Sequence, residues 1–143
     1  MVGKSLSCLA AALILGAAAP AGAVAPLIPL EVRSTGVEGE FEVIEGRGAG
    51  ASHIWCSAAD FARSQLRAAA GQRLYLAAGS GPSRTSPGRR SVVFTLMPDA
   101  DLAQAGGPQG LRGLLLTTRH PGASLPVAHA LQFCLDHIDT PAR

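Results

Sequence analysis

Residues 1–23 constrain this chain most, because they set the redox compartment in which its cysteines meet. Lys4 gives a short basic start, and Leu6 to Ala19 is an apolar run rich in Ala and Leu. Ala21-Gly22-Ala23 then supplies the small-x-small pattern that a signal peptidase accepts. The run is shorter than the roughly 20 residues that cross a bilayer, and no later stretch is long enough either. Residues 1–23 therefore read as a cleaved signal peptide, and residues 24–143 as a single globular domain without a transmembrane anchor. The expected address is the periplasm or the exterior. Cys8 has only seven residues before it, none of them an apolar segment, so it leaves with the peptide and is not a lipid attachment site.

The mature chain keeps Cys56 and Cys134. An even number of cysteines in an exported domain reads first as a disulfide. Their placement agrees: Cys56 falls in the first turn of one expected helix and Cys134 in the last turns of another. Antiparallel packing of the two helices brings those ends together. Two other readings compete. His53-x-x-Cys56 and Cys134-x-x-His137 each set a His and a Cys on one helical face, and four such ligands suit tetrahedral zinc. A redox role is the other, since a thiolate near a helix N-terminus is stabilised, but the chain has no Cys-x-x-Cys pair. The disulfide is the expectation; zinc, or a small enzyme built on His53, Cys56, Cys134 and His137, is the alternative. No cofactor is expected.

Hydrophobic patterning supplies the remaining elements. Leu30 to Arg33 alternates and reads as a short strand. Glu40 to Ile44 alternates clearly, with Phe41 and Val43 on one face and glutamates on the other. Residues 46–51 form a Gly-rich loop, and Ser52 suits an N-cap for a helix over His53 to Ala69. Gln72 to Ala78 reads as a strand, 79–88 as a turn-rich loop, and Arg90 to Met97 as a central strand, because its apolar run is near-continuous. Residues 98–110 read as loop and Leu111 to Thr118 as a further strand. Ser124 then caps a second helix, with Pro126 in its first turn and Val127, Leu131, Cys134, Leu135 and Ile138 on one face. This order predicts an α+β fold: a small, mainly antiparallel sheet with two helices packed on one face and linked by the disulfide.

Charge excludes more than it assigns. Lys4 is the only lysine, so the mature domain is near-neutral and its basic residues are all arginines. That gives no case for nucleic acid as a partner. The distribution is uneven, however. Glu31, Glu38, Glu40, Glu42 and Glu45 crowd the start, whereas Arg63, Arg67, Arg73, Arg84, Arg89 and Arg90 lie in a stretch without acids. The simplest reading sets the acidic strand beside the basic hairpin, so that the two offset each other; the alternative is an anion-binding face.

Gly46-x-Gly48-x-x-Ala51 follows a strand and opens a helix. The pattern resembles a degenerate dinucleotide-binding loop, but the short antiparallel domain, the missing acid about 20 residues on and the exported compartment count against a nucleotide. A generic anion site remains, formed by Arg47, Gly48, Gly50 and Ser52 at the positive end of the helix. Catalytic signatures are weaker still. Gly79-Ser80-Gly81 is no nucleophile elbow, His129 lies mid-helix beside the apolar stripe, His120 precedes a turn, and no carboxylates pair. No catalytic residues are assigned.

The stretch Phe41 to Phe61, with Ile54-Trp55-Cys56-Ser57-Ala58-Ala59-Asp60-Phe61 after its Gly-rich link, resembles small uncharacterised exported proteins of alphaproteobacteria. The resemblance continues through Arg73-Leu74-Tyr75 and Gly81-Pro82-Ser83 to Cys134. It implies an exported domain and transfers neither an activity nor site residues. The expected function is a non-enzymatic, disulfide-bonded binding or envelope-associated domain, its partner an envelope protein or a small anionic ligand.

Overall fold

A computed structural model describes residues 27–106 and 116–135. The expected signal peptide, residues 111–115 of one expected strand, and His137 lie outside the described residues. The elements are β1 (Val32–Ser34), β2 (Glu40–Ile44), α1 (Ala51–Ser64), β3 (Arg73–Pro82), β4 (Arg90–Thr95), α2 (Ala100–Ala105), β5 (Ser124–Pro126) and α3 (Val127–Gln132). The five strands make one sheet in the order β1-β2-β4-β3-β5, and every neighbouring pair is antiparallel. The expected α+β class holds. Among the described residues, no helix is long and apolar enough to cross a membrane.

Alternation builds the core. Phe41 and Val43 of β2, Val92 and Phe94 of β4, and Leu74 and Leu76 of β3 project from one face of the sheet and are fully buried. On that face lie Ile54, Trp55, Ala58, Ala59 and Ala62 of α1, and Val127 and Ala130 of α3. The small alanines let α1 approach closely, and the large rings fill what remains. Trp55 meets Phe94 edge-on with centroids 4.9 Å apart, and Phe41 lies 4.8 Å from Phe61. The indole N–H would be orphaned by this burial, but it donates to the Thr117 carbonyl at 2.8 Å.

The central position expected for the Arg90 strand is the one β4 occupies, between β2 and β3. Both of its faces are covered, since Ser91, Val93 and Thr95 are buried as well. Antiparallel sheets often leave one face to solvent. Here the β3–β4 connection folds back over the second face and, as described below, grips it.

Several local expectations need correction, among them the loop expected from residue 79, since β3 runs on to Pro82. The first helix starts at Ala51 with Gly50 as its N-cap and no side-chain cap, so Cys56 lies in the second turn and Ser52 is not the cap. It ends at Ser64, five residues early, because Arg67 takes a left-handed φ of 54° and the Ala68 N–H turns back to the Ala62 carbonyl. Ser124–Pro126 is strand and not helix start: Leu125 registers with Leu74, the Ser124 hydroxyl accepts from the Arg73 guanidinium, and the helix begins at Val127. Finally, residues 98–106 hold the short helix α2, capped by the Asp99 carboxylate accepting from the Leu102 N–H. Its turn buries no residue, so no apolar stripe announced it. Of the expected strand at 111–118, the described residues 116–118 are not strand.

Candidate functional site

Cys56 and Cys134 are joined, with Cα atoms 5.0 Å apart and a sequence separation of 78. The bridge ties the second turn of α1 to the turn that follows α3. It uses both sulfurs, which removes the two thiolates from the four-ligand zinc set. His53, its third member, points its Nε2 at the Ile28 carbonyl, 2.8 Å away. His137 lies outside the described residues. Among the described residues, no three His, Cys, Asp or Glu side chains gather closely enough to hold a metal ion.

The anion-loop residues sit together at the start of α1. Gly48 adopts φ 74°, which only glycine takes without strain, and it closes the turn between β2 and α1. Arg47 and Gly50 are exposed, and Ser52 is half-buried. The loop is thus a tight connection with an exposed arginine on it. The hydrogen-bonded anion of this molecule lies elsewhere.

That anion is Glu42. Strand alternation set it on the outer face with Glu40, and it is completely buried there. Its Oε1 accepts from the Ser83 hydroxyl at 2.6 Å, from the Thr85 N–H at 2.9 Å and from the Thr85 hydroxyl. Its Oε2 accepts from the Arg84 N–H at 3.1 Å and the Ser91 hydroxyl at 2.8 Å. Burial, the largest single influence, pushes the carboxyl pKa up. The hydroxyls of Ser83, Thr85 and Ser91 and the Thr85 amide together outweigh it, carrying the pKa from 4.5 down to about 2. Such a saturated carboxylate is a poor proton acceptor and a good anchor: it pins the Ser83–Ser86 turn over the sheet.

Around it the charges compensate. Arg84 pairs with Glu40 at 3.3 Å and Arg90 with Glu45 at 3.7 Å. The acidic strand and the arginine-bearing hairpin therefore lie side by side. Exposed pairs of this kind add little individually. Sequence reasoning missed the role of Glu42, because burial of its face depends on a hairpin that folds over from 41 residues away. The available signal was the run Ser83-Arg84-Thr85-Ser86, dense in hydroxyl donors.

A second feature lies on the helix side of the sheet. The lead-in to β1 is laced to α1: the Leu30 N–H donates to the Ser57 hydroxyl at 2.8 Å, and that hydroxyl donates to the His53 carbonyl at 2.8 Å. Next to this seam, Pro29, Leu30, Val32 and Phe61 line an open groove of about 270 Å³ together with the polar Ser57, Asp60, Ser64 and Gln65. None of these lining residues belongs to the anion loop or to the zinc set.

Comparison with protein-family models, with curated proteins and with solved structures finds no match to this chain.

Proposed function

We propose that the chain is an exported, disulfide-stapled domain that works by binding, in the periplasm or outside the cell, and not by covalent chemistry. The Cys56–Cys134 bridge is the observation that carries this reading. Disulfides persist in oxidising compartments, and residues 1–23 have the pattern of the signal that leads there. The resemblance to small exported alphaproteobacterial proteins points the same way. Further support comes from how the polar groups are used. The densest cluster, around Glu42, is saturated internally and serves to hold a loop. The groove along β1 offers a mixed surface, apolar at Pro29, Leu30, Val32 and Phe61 and polar at Ser57, Asp60, Ser64 and Gln65, suited to holding a partner.

The test is the intact mass of protein recovered from its native compartment, alkylated under denaturing conditions with and without prior reduction, alongside metal analysis. The expected result is a chain starting at Val24 that takes up alkylating reagent only after reduction. A retained leader overturns the export part of the proposal, and two free thiols with bound zinc overturn it in favour of the His-Cys cluster.

A further inference from the structure

We propose that the outer edge of β1 and the groove beside it receive an extended peptide with a basic side chain between two apolar ones, which adds a sixth strand to the sheet. This rests on the binding-domain reading and names the class of partner.

Backbone bookkeeping opens the edge. The Glu31 carbonyl accepts from Ile44, and the Thr35 N–H donates to Glu40. Arg33, in register with Glu42, lies between these two bonded pairs. By strand alternation, Val32 and Ser34 therefore direct their N–H and C=O groups away from β2. β1 is the end strand of the sheet, and among the described residues no strand pairs with its far side. The opposite end strand, β5, carries Pro126, which has no N–H to offer, and runs directly into α3.

The groove supplies specificity. Side chains alternate along an added strand, so every second one falls on the face shared by Leu30 and Val32, toward α1. Leu30, Val32 and Phe61 are only partly buried against the core and present apolar surface to it. Asp60 is the one charged residue in the lining. Among the described residues its carboxylate has no hydrogen bond or ion pair, and Arg63, three residues on, does not pair with it. Glu31 and Arg33 alternate to the opposite face of β1, where they pair with each other at 2.6 Å. A single uncompensated carboxylate between apolar contacts selects a basic side chain flanked by apolar ones. A second copy of β1 fits less well. Its groove-facing residues would be Leu30, Val32 and Ser34, which give Asp60 no cation.

The test titrates the oxidised, ¹⁵N-labelled protein with acetyl-Val-Ser-Lys-Ser-Val-amide and with its counterpart in which glutamate replaces lysine. The expected amide shifts centre on Val32 and Ser34 and on Asp60 and Phe61. The glutamate peptide should bind roughly two- to fivefold more weakly, the range of an exposed ion pair. Asp60→Asn should bring the two peptides together in affinity, and Asp60→Arg should invert their order. Ser34→Pro removes one outward N–H at an edge that tolerates proline, and it should abolish the shifts while leaving the melting temperature within a few degrees. If that variant does not fold, the Asp60→Arg inversion carries the test alone. Shifts elsewhere, no shifts with either peptide, or equal binding of both charges overturns the inference. So does concentration-dependent self-association without peptide, which would assign the edge to a second copy. Any of these in an oxidised chain starting at Val24 leaves the binding-domain reading standing. Free thiols with zinc remove that reading whatever the peptides do.

Discussion

Replacing Glu42 with glutamine keeps its shape and removes its charge, and the structure sets the size of the effect. The native carboxyl is held at about 2 against an ordinary 4.5. That difference corresponds to about 3 kcal/mol favouring the ionised form in the folded state. Because the folded pKa lies below the unfolded one, this stability is fully present above pH 4.5 and is lost as pH falls toward 2. Glu42→Gln should therefore lower stability by about 3 kcal/mol at pH 7. The gap to wild type should fall to less than half of that by pH 3 and nearly close by pH 2. Urea denaturation of both proteins with the disulfide intact, at pH values from 7 to 2, measures this directly. Other carboxylates titrate in both proteins and cancel in the difference. A gap that stays flat with pH, or one under about 1 kcal/mol at pH 7, would refute the assignment of Glu42 as the anchor of the hairpin.

Three further outcomes follow from features already described. Replacing both Cys56 and Cys134 with serine should cost about 4 kcal/mol in urea denaturation, the chain-entropy value for a loop of this length. Arg67→Gly should raise stability by about 0.5–1 kcal/mol, since a side chain at φ 54° is strained where glycine is not; an unchanged or lower denaturation midpoint would contradict that. Gly122→Ala should cost about 2 kcal/mol or more in the same assay, because Gly122 has φ 88° and a Cβ there would sit 2.5 Å from the Gly106 nitrogen.

The parts legible in the sequence are those with a strong period. Phe41 and Val43 alternate, Arg90–Thr95 is nearly all apolar or β-favouring, and Trp55, Ala58, Ala59 and Ala62 trace one side of a helix. Each became the element its period implied. The Cys56–Cys134 pairing was legible for a different reason, since the expectation of an oxidising address leaves two cysteines one obvious partner each. Two short elements were not legible. α2 and β5 have six and three residues, and neither carries an apolar stripe of its own: α2 buries no residue, and β5 was absorbed into the expected start of the second helix. β5 exists because β3 offers it an edge, and that is a tertiary fact. Glu42 was misjudged for the same reason: alternation says which face a side chain takes, not what later chain will cover that face. The groove draws Pro29 and Val32 from β1 and its lead-in and Asp60 and Phe61 from α1, so no spacing in the chain announces it.

Closing Cys56 onto Cys134 makes a covalent ring of chain that contains β3, β4 and β5 and leaves out β1 and β2. The two outer strands are thus a flap laid against the ring along β4. Apart from the chain that runs from β2 into α1, no covalent bond among the described residues ties this flap to the ring. The staple limits how far the ring expands when the protein opens, but it does nothing to hold the flap. That task falls to the β2–β4 ladder, to the Leu30–Ser57 bond that laces the lead-in of β1 to α1, to Phe41 and Val43 in the core and to the five donors gathered on Glu42. Amides of β2 should then exchange with solvent through smaller openings than those of β3, and acid should widen the difference. The edge that receives a peptide belongs to the part of the sheet that the ring does not enclose.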